Sequence, residues 1–310
     1  MTDYDGLLRA VATPRRAGTP SSVRVRELLR RELGVRGFVT MEHAFTGRSL
    51  LHRLGRAPLD GVNLIAVRPR ARVGIWLVAH YDSKGQPLSM AARLVSAALV
   101  VVGGIELAAL GLRSVMGSLH IGLLDACLAA AGLIGLVLLA ANRVTDRSAG
   151  AVDNASGVVT ALAIVDALPA DAAVGVIFPD AEEYGLVGAR ALLRERAHLL
   201  AGSAVVNLDG IDDRGSTIAL VHRGGPLVDR VVAALGARRV PWLPVIVDGA
   251  ALGRGRRGRP GRGAREAVTI MRGDWGTARI VHTARDTPER LTLDGVRRVA
   301  QGLAAALIPG

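Results

Sequence analysis

The stretch WLVAHYDSKGQPLSMAARLVSAALVVVGGIELAALG, residues 76–111, begins like the end of a buried strand and finishes as an apolar helix. His80 and Asp82 form a His-x-Asp where the strand should end. From Leu94 to Leu112 there is no Arg or Lys, with Arg93 and Arg113 at the two ends. A second apolar run, Leu119 to Ala141, closes at NRVTDR. Each run approaches the roughly 20 residues that cross a bilayer as a helix, and the link between them is short. The pair therefore reads as a membrane hairpin within residues 89–141, contacting lipid through 94–141. Two buried or dimer-forming helices of a soluble protein would give the same pattern. Glu106 and Asp125 speak for that alternative, because a carboxylate is costly in hydrocarbon. Glu106 lies six residues before Leu112 and Asp125 six after Leu119. In an antiparallel hairpin both would sit roughly 9 Å from the link, able to share a proton or to reach Arg113 and His120. The predicted plan is one soluble domain, residues 1–88 and 142–310, interrupted by this hairpin.

Composition agrees with concentrated rather than dispersed apolar content. Half of the 310 residues are hydrophobic but only 3% are aromatic. The formal net charge of +12 would suit an acidic partner. Its densest patch, GRGRRGRPGRGAR at 253–265, has no aromatic residue between the arginines, and its Gly and Pro deny it a helix. On those grounds the patch does not read as a base-stacking platform, and no nucleic acid partner is expected. The patch reads as a solvated basic loop at the rim of the domain, with anionic headgroups as the alternative contact. The single cysteine, Cys127, rules out an intramolecular disulfide or a thiolate zinc cluster and is expected to pack. The N-terminal MTDYDGLLRAVATPRRAGTPSS has acidic residues first and no apolar core, so it does not read as a secretory signal.

Outside the hairpin the pattern is that of an α/β protein. SSVRVRELLRREL, 21–33, has a Ser cap, helical spacing of apolar residues and Gly34 as a stop. GVNLIAVRP, RVGIWLVAH, AVGVIFPDAEE, SAVVNLDGI and AREAVTIMRG read as strands, the second of them central. DNASGVVTALAIVDAL and GLVGARALLRERAHLL read as helices between them. Such alternation predicts a largely parallel sheet, whose ligands bind beyond the carboxyl ends of the strands. His80, Glu182, Glu183 and Asp209 all fall at or just after such ends, and Asp153 precedes a helix on the same edge. Singly, each has a structural explanation: Asp153 as a helix cap, the two glutamates as a solvated loop, His80 as a satisfied core histidine. Together they are a negative cluster that a cation must hold. Nitrogen and oxygen donors without thiolate suit zinc, manganese or cobalt, and a shared Asp would let two ions sit close together. His282, in IVHTARDTPERL, supplies a second imidazole.

In the order AHYDS, AVDNASG, DAEEYGLVGAR, VVNLDGI and VHTARDTPERL, the sequence resembles the M28 family of zinc aminopeptidases. The match runs over about residues 14–308 without the hairpin, and PRRAGTPSS resembles the family's approach to its first helix. The resemblance implies a three-layer α/β/α sandwich of the phosphorylase/hydrolase kind, with a mixed, mostly parallel sheet, and a site for two zinc ions. It implies that His80 and Asp209 bind one ion, Glu183 and His282 the other, and that Asp153 bridges both. It makes Glu182 the general base and Asp82 the residue that orients His80. A peptide cut at its N-terminal bond is then the substrate. A glutaminyl cyclase-like activity, a carboxypeptidase or dipeptidase, and a catalytically silent membrane scaffold stay open beside it. The sequence departs from the family in one place: 73 positions separate His80 from Asp153, and the hairpin fills the excess. Lys84, Arg93, Arg143 and Arg147 flank the hairpin on the domain side, against Arg113 alone in the link. The positive-inside rule then predicts a two-span protein of the cell membrane with its catalytic domain in the cytoplasm.

Overall fold

Strand residues point alternately to opposite faces, and in this chain both faces are apolar. The computed structural model describes residues 2–48, 58–70, 72–254 and 263–308. Its eight strands are β1 (Val39–Gly47), β2 (Leu59–Val67), β3 (Ile75–Val78), β4 (Val174–Phe178), β5 (Ala204–Ile211), β6 (Ser216–Arg223), β7 (Arg238–Val240) and β8 (Glu266–Gly273). They form one sheet in the order β1-β2-β4-β3-β5-β8-β6-β7. β4, β3, β5 and β8 run parallel to one another, β2 and β6 pair antiparallel on either side of them, and β7 runs parallel to β6.

Leu77, Val176, Val206 and Val268 face one core, together with α1 (Tyr4–Val11), α2 (Pro20–Val35), α5 (Ser156–Ala167), α7 (Pro226–Leu235) and α10 (Asp294–Leu307). Trp76, Ile177 and Val205, each one residue away, face the other core with α6 (Val187–Glu195) and α8 (Asp248–Arg254). The result is the predicted three layers around a mixed sheet. A short helix, α9 (Trp275–Ala278), follows β8. Thr19 rather than a serine caps α2, with Pro20 in its first turn, and Gly34 lies inside the helix, not beyond it.

The chain leaves and rejoins this sandwich through one narrow neck. Gly85 and Thr145 exchange both backbone hydrogen bonds at 2.7 Å, and a Cβ at Gly85 would lie 2.7 Å from the Arg147 nitrogen. Between them stand α3 (Met90–Val115) and α4 (Leu123–Ala141), two helices long and apolar enough to cross a membrane. Ser89 caps α3, and α4 begins four residues later than the apolar run predicts, because Gly122 supplies its cap and donates its N–H to Asp125 Oδ2 at 2.6 Å. The helices pack closely on small residues: a Cβ at Gly103 would lie 2.5 Å from the Gly132 Cα. Glu106 and Asp125 converge on one partner, since Arg113 Nη2 donates to both at 2.8 Å. Cys127 is exposed and not packed as expected, because among the described residues only Gly132 and Gly135 of α4 are buried. Of the basic stretch 253–265, residues 255–262 lie outside the described residues, and with them the expectation of a rim loop.

Candidate metal centre

The parallel strands deliver the predicted residues to one edge. His80 follows β3, Glu182 and Glu183 form a single turn after β4, and Asp209 sits near the end of β5. Asp153 lies in the irregular turn before α5, and His282 comes after α9. Chain neighbours hold each of them. The Asp82 carboxylate accepts the backbone N–H groups of Glu182 and Glu183 at 3.1 and 3.2 Å, while His80 Nδ1 meets the Asp82 carbonyl at 3.2 Å and its carboxylate at 3.4 Å. Asp286 accepts from the backbone of Val152 and Asp153 at 2.7 and 3.2 Å. Asn154 ties the Asp153 turn to the Asp209 strand: its Nδ2 donates to the Leu208 carbonyl at 2.9 Å and its Oδ1 accepts from Gly210 at 3.1 Å.

The bridge across the α3–α4 hairpin is Arg15, which is fully buried. Its Nε donates to the Tyr81 carbonyl at 2.6 Å, and its terminal nitrogens donate to the carbonyls of Thr13, Ala149 and Gly150. One guanidinium thus ties the residue after His80 to the segment that returns from the hairpin, so distance along the chain does not separate the two motifs in space. Burial lowers its pKa to about 10, against the opposing pull of Asp82, Asp286 and Asp153, and it remains charged at neutral pH.

Asp153 is the centre of the cluster. Its Oδ1 lies 3.1 Å from His80 Nε2 and its Oδ2 lies 2.9 Å from His282 Nε2. His282 Nε2 is also 2.9 Å from Glu183 Oε1, and His80 Nε2 is 3.9 Å from Asp209 Oδ1 and 4.0 Å from Glu182 Oε2. Two groups of donor atoms therefore could each hold a cation, His80–Asp153–Asp209 and Asp153–Glu183–His282, with all atoms of a group within 4.8 Å of one another. Asp153 Oδ1, Glu183 Oε1 and His282 Nε2 are buried without a hydrogen-bond partner. Nitrogen and oxygen atoms so close yet unaligned for hydrogen bonding are what donors converging on a cation produce, and the all-N/O set fits zinc.

Charge pressure in the cluster is correspondingly high. Burial opposes ionisation of Asp153, but His282 and His80 outweigh it and hold the carboxyl well below its usual range. Glu183 is held down to about 2 against its burial by His282 and by Lys84, whose Nζ is 2.8 Å from it. Burial pushes Glu182 well above the usual range, with the charges of Glu183, Asp209 and Asp248 adding to it against His80. Asp209 is pushed up to about 7 by burial and by Asp153 and Glu183. His80 is raised well above 6.5, because the carboxylates around it, Glu182 and Asp153 first, outweigh its burial.

Three further residues belong to this place. Asp248, at the start of α8, is fully buried, neither of its oxygens has a hydrogen-bond partner, and burial pushes it up to about 8. Its signal was the kind that marked the others, an acid closing the apolar run PVIV. Lys84 and Arg93 reach the cluster from the two sides of the neck. Arg93, on α3, points its Nη2 at His282 Nδ1. No sequence spacing announces these contacts.

The family model for peptidase family M28 matches residues 63–307, and the chain belongs to that family. No curated protein matches it by sequence. Among solved structures, a Zn-dependent exopeptidase from Parabacteroides distasonis is 16% identical with a TM-score of 0.63, covering 98% of this chain and 96% of its own. Porphyromonas gingivalis glutaminyl cyclase is 17% identical with a TM-score of 0.62, covering 98% and 95%. A leucine aminopeptidase precursor from Bacteroides thetaiotaomicron is 16% identical with a TM-score of 0.60, covering 99% and 98%. At such identities these likenesses establish the shared fold.

Proposed function

We propose that the chain is a membrane-anchored aminopeptidase that holds two zinc ions and removes N-terminal residues from peptides. The observation that carries this reading is the Asp153 carboxylate, one oxygen toward His80 and the other toward His282. In this reading His80 and Asp209 hold one ion, Glu183 and His282 the other, Asp153 both, and manganese or cobalt could substitute for zinc. Zinc bound there would supply Lewis acidity for a peptide carbonyl and for water. Glu182, set among Glu183, Asp209 and Asp248, takes a proton readily and passes it to the departing amine as general base and then acid. Asp82 fixes both the turn that carries Glu182 and the ring of His80. The free ammonium of a peptide's N-terminus suits a pocket so rich in carboxylates.

Residues 89–141 are the membrane anchor of the proposal, and 1–88 with 142–310 the catalytic domain. Lys84 and Arg93 turn into the cavity, so the exposed basic residues on the domain side are Arg143 and Arg147. They favour a cytoplasmic domain by the positive-inside rule, and a reporter fused into the link at 117–121 should then be extracytoplasmic.

The glutaminyl cyclase reading has the likeness of the Porphyromonas gingivalis enzyme in its favour. The family resemblance implies a single zinc in cyclases of this fold, whereas this chain presents two donor groups, sharing Asp153, that could each hold a cation. The test is mass spectrometry of a mixed peptide library incubated with detergent-purified protein and zinc, beside Glu182→Ala. Stepwise loss of N-terminal residues is expected, with the variant keeping two zinc ions and losing at least about 100-fold in turnover. Loss of ammonia from N-terminal Gln would transfer the assignment to the cyclase, and C-terminal trimming to a carboxypeptidase.

A further inference from the structure

The cavity over the cluster has a volume of about 580 Å³, and one of its walls is the inserted hairpin. Met90, Arg93, Leu94 and Ala97, on one face of the first turns of α3, line it with Leu139 from the last turn of α4. The apolar run Leu243–Val247 lines it too, with Trp275 from α9, a helix that contacts α3. Above its charged floor the cavity is mostly apolar, with Arg272 and Asp274 the charged exceptions, and the anchor itself contributes to that lining.

The same helical turns that face the cavity begin the outward apolar surface of the hairpin. Leu94 faces inward while its neighbour Val95 is exposed; Leu139 faces inward while Leu138 is exposed. That outer surface continues through Val101, Ile105 and Leu136. The cavity mouth thus lies at the level where the exposed apolar surface starts. Two of the chain's three tryptophans lie at or beside the mouth, Trp275 52% and Trp242 68% exposed, with Ile246 at 55%. Large aromatic side chains in that position match the residues that settle at a bilayer interface.

The geometry points to a substrate that comes from the membrane: a peptide lying in the bilayer interface, whose large apolar N-terminal side chain packs against Leu94, Ala97 and Leu139. This rests on the aminopeptidase reading of the site and on the spanning reading of the hairpin. The ammonium and first peptide bond go to the carboxylate floor, the first side chain to the hairpin wall, and the following residues along the surface that Trp275 and Ile246 share with the outer face of α3. A soluble, polar N-terminus would leave the wall without a partner and its own polar groups without water.

The test is photo-crosslinking in phosphatidylcholine vesicles containing the full-length protein in its Glu182→Ala form. Two peptides carry the same N-terminal photoactivatable leucine; one has a C-terminal acyl chain that holds it on the vesicle and the other a polar tail. Crosslinks to residues 90–97 and 139 are expected, with at least about tenfold higher yield from the vesicle-bound peptide after correction for surface concentration. Crosslinks confined to segments other than the hairpin, or equal yields from the two peptides, would overturn the inference. In parallel, Ala97→Phe should lower the ratio of turnover of N-terminal Leu to that of N-terminal Ala at least about tenfold, since loss of space for a single methylene group is worth that much; an unchanged ratio counts against the hairpin wall. Crosslinking at the wall with no cleavage of either peptide by the wild-type protein would leave the wall standing and sink the aminopeptidase reading.

Discussion

Without metal, the cluster must share out more negative charge than its buried setting tolerates, and this makes zinc loading a proton-releasing event. Asp209 has been pushed up to about 7 and His80 well above 6.5. A cation at their site needs Asp209 ionised and His80 neutral, so both lose protons as it binds. The sign follows: affinity falls as pH falls. For Asp209 alone, a drop from pH 8 to pH 6 crosses its pKa and weakens binding about tenfold, or about 1.4 kcal/mol. His80 acts in the same direction below its raised pKa and makes the total larger. Calorimetric titration of the metal-free protein with zinc, in buffers of different ionisation heat at pH 6, 7 and 8, reads both affinity and protons released. Asp209→Asn should remove about one proton from that count near pH 6. Zinc affinity constant between pH 6 and 8, with heats independent of buffer, would refute the reasoning.

Arg15→Met leaves four carbonyl contacts unmade and removes the charge that faces Asp82, Asp286 and Asp153; a loss of about 3 kcal/mol is expected, seen as a Tm lower by several degrees. Asp248→Asn should act oppositely in the metal-free protein. The raised carboxyl of Asp248 makes stability fall as pH rises toward about 8, and Asn has no charge to acquire, so the variant should melt higher than wild type at pH 8, by about 2 °C or more, and equally at pH 4. Joining Gly85 to Thr145 by a two-residue turn in place of 86–144 should give a detergent-independent protein that still binds two zinc ions by elemental analysis, because those residues already pair as a hairpin would; aggregation without bound zinc would contradict the inserted nature of the segment.

The central strands were readable because burial on both faces leaves them continuously apolar, as in IWLV and VGVIF. β1 has no such signature: VTMEHAFTG exposes most of its side chains, and its place comes from pairing with β2 along nine residues. β7 has only three residues and is fixed by β6. The same division holds at the cluster. Residues just past strand ends could be found from periodicity, since topology carries such positions to one edge. Arg15 and Arg93 could not, because their contacts with Tyr81 and His282 span 66 and 189 positions and depend on the finished fold. The late start of α4 arose because a cap at Gly122 outweighed the apolar character of Leu119 and Ile121.

The two arginines near the ends of α3 give the hairpin a second property, that of a gauge. Arg93 is fastened to His282 on the floor of the cavity, and Arg113 to Glu106 and Asp125 near the link. Twenty residues of helix separate them, a span of about 30 Å, which equals the hydrocarbon thickness of an ordinary bilayer. In the spanning reading, a membrane crossed by this hairpin would set the height of the candidate metal centre above it. Lipid thinner than this span would tilt the helix, and because Arg93 is tied to His282, that tilt would be felt at the candidate metal centre itself.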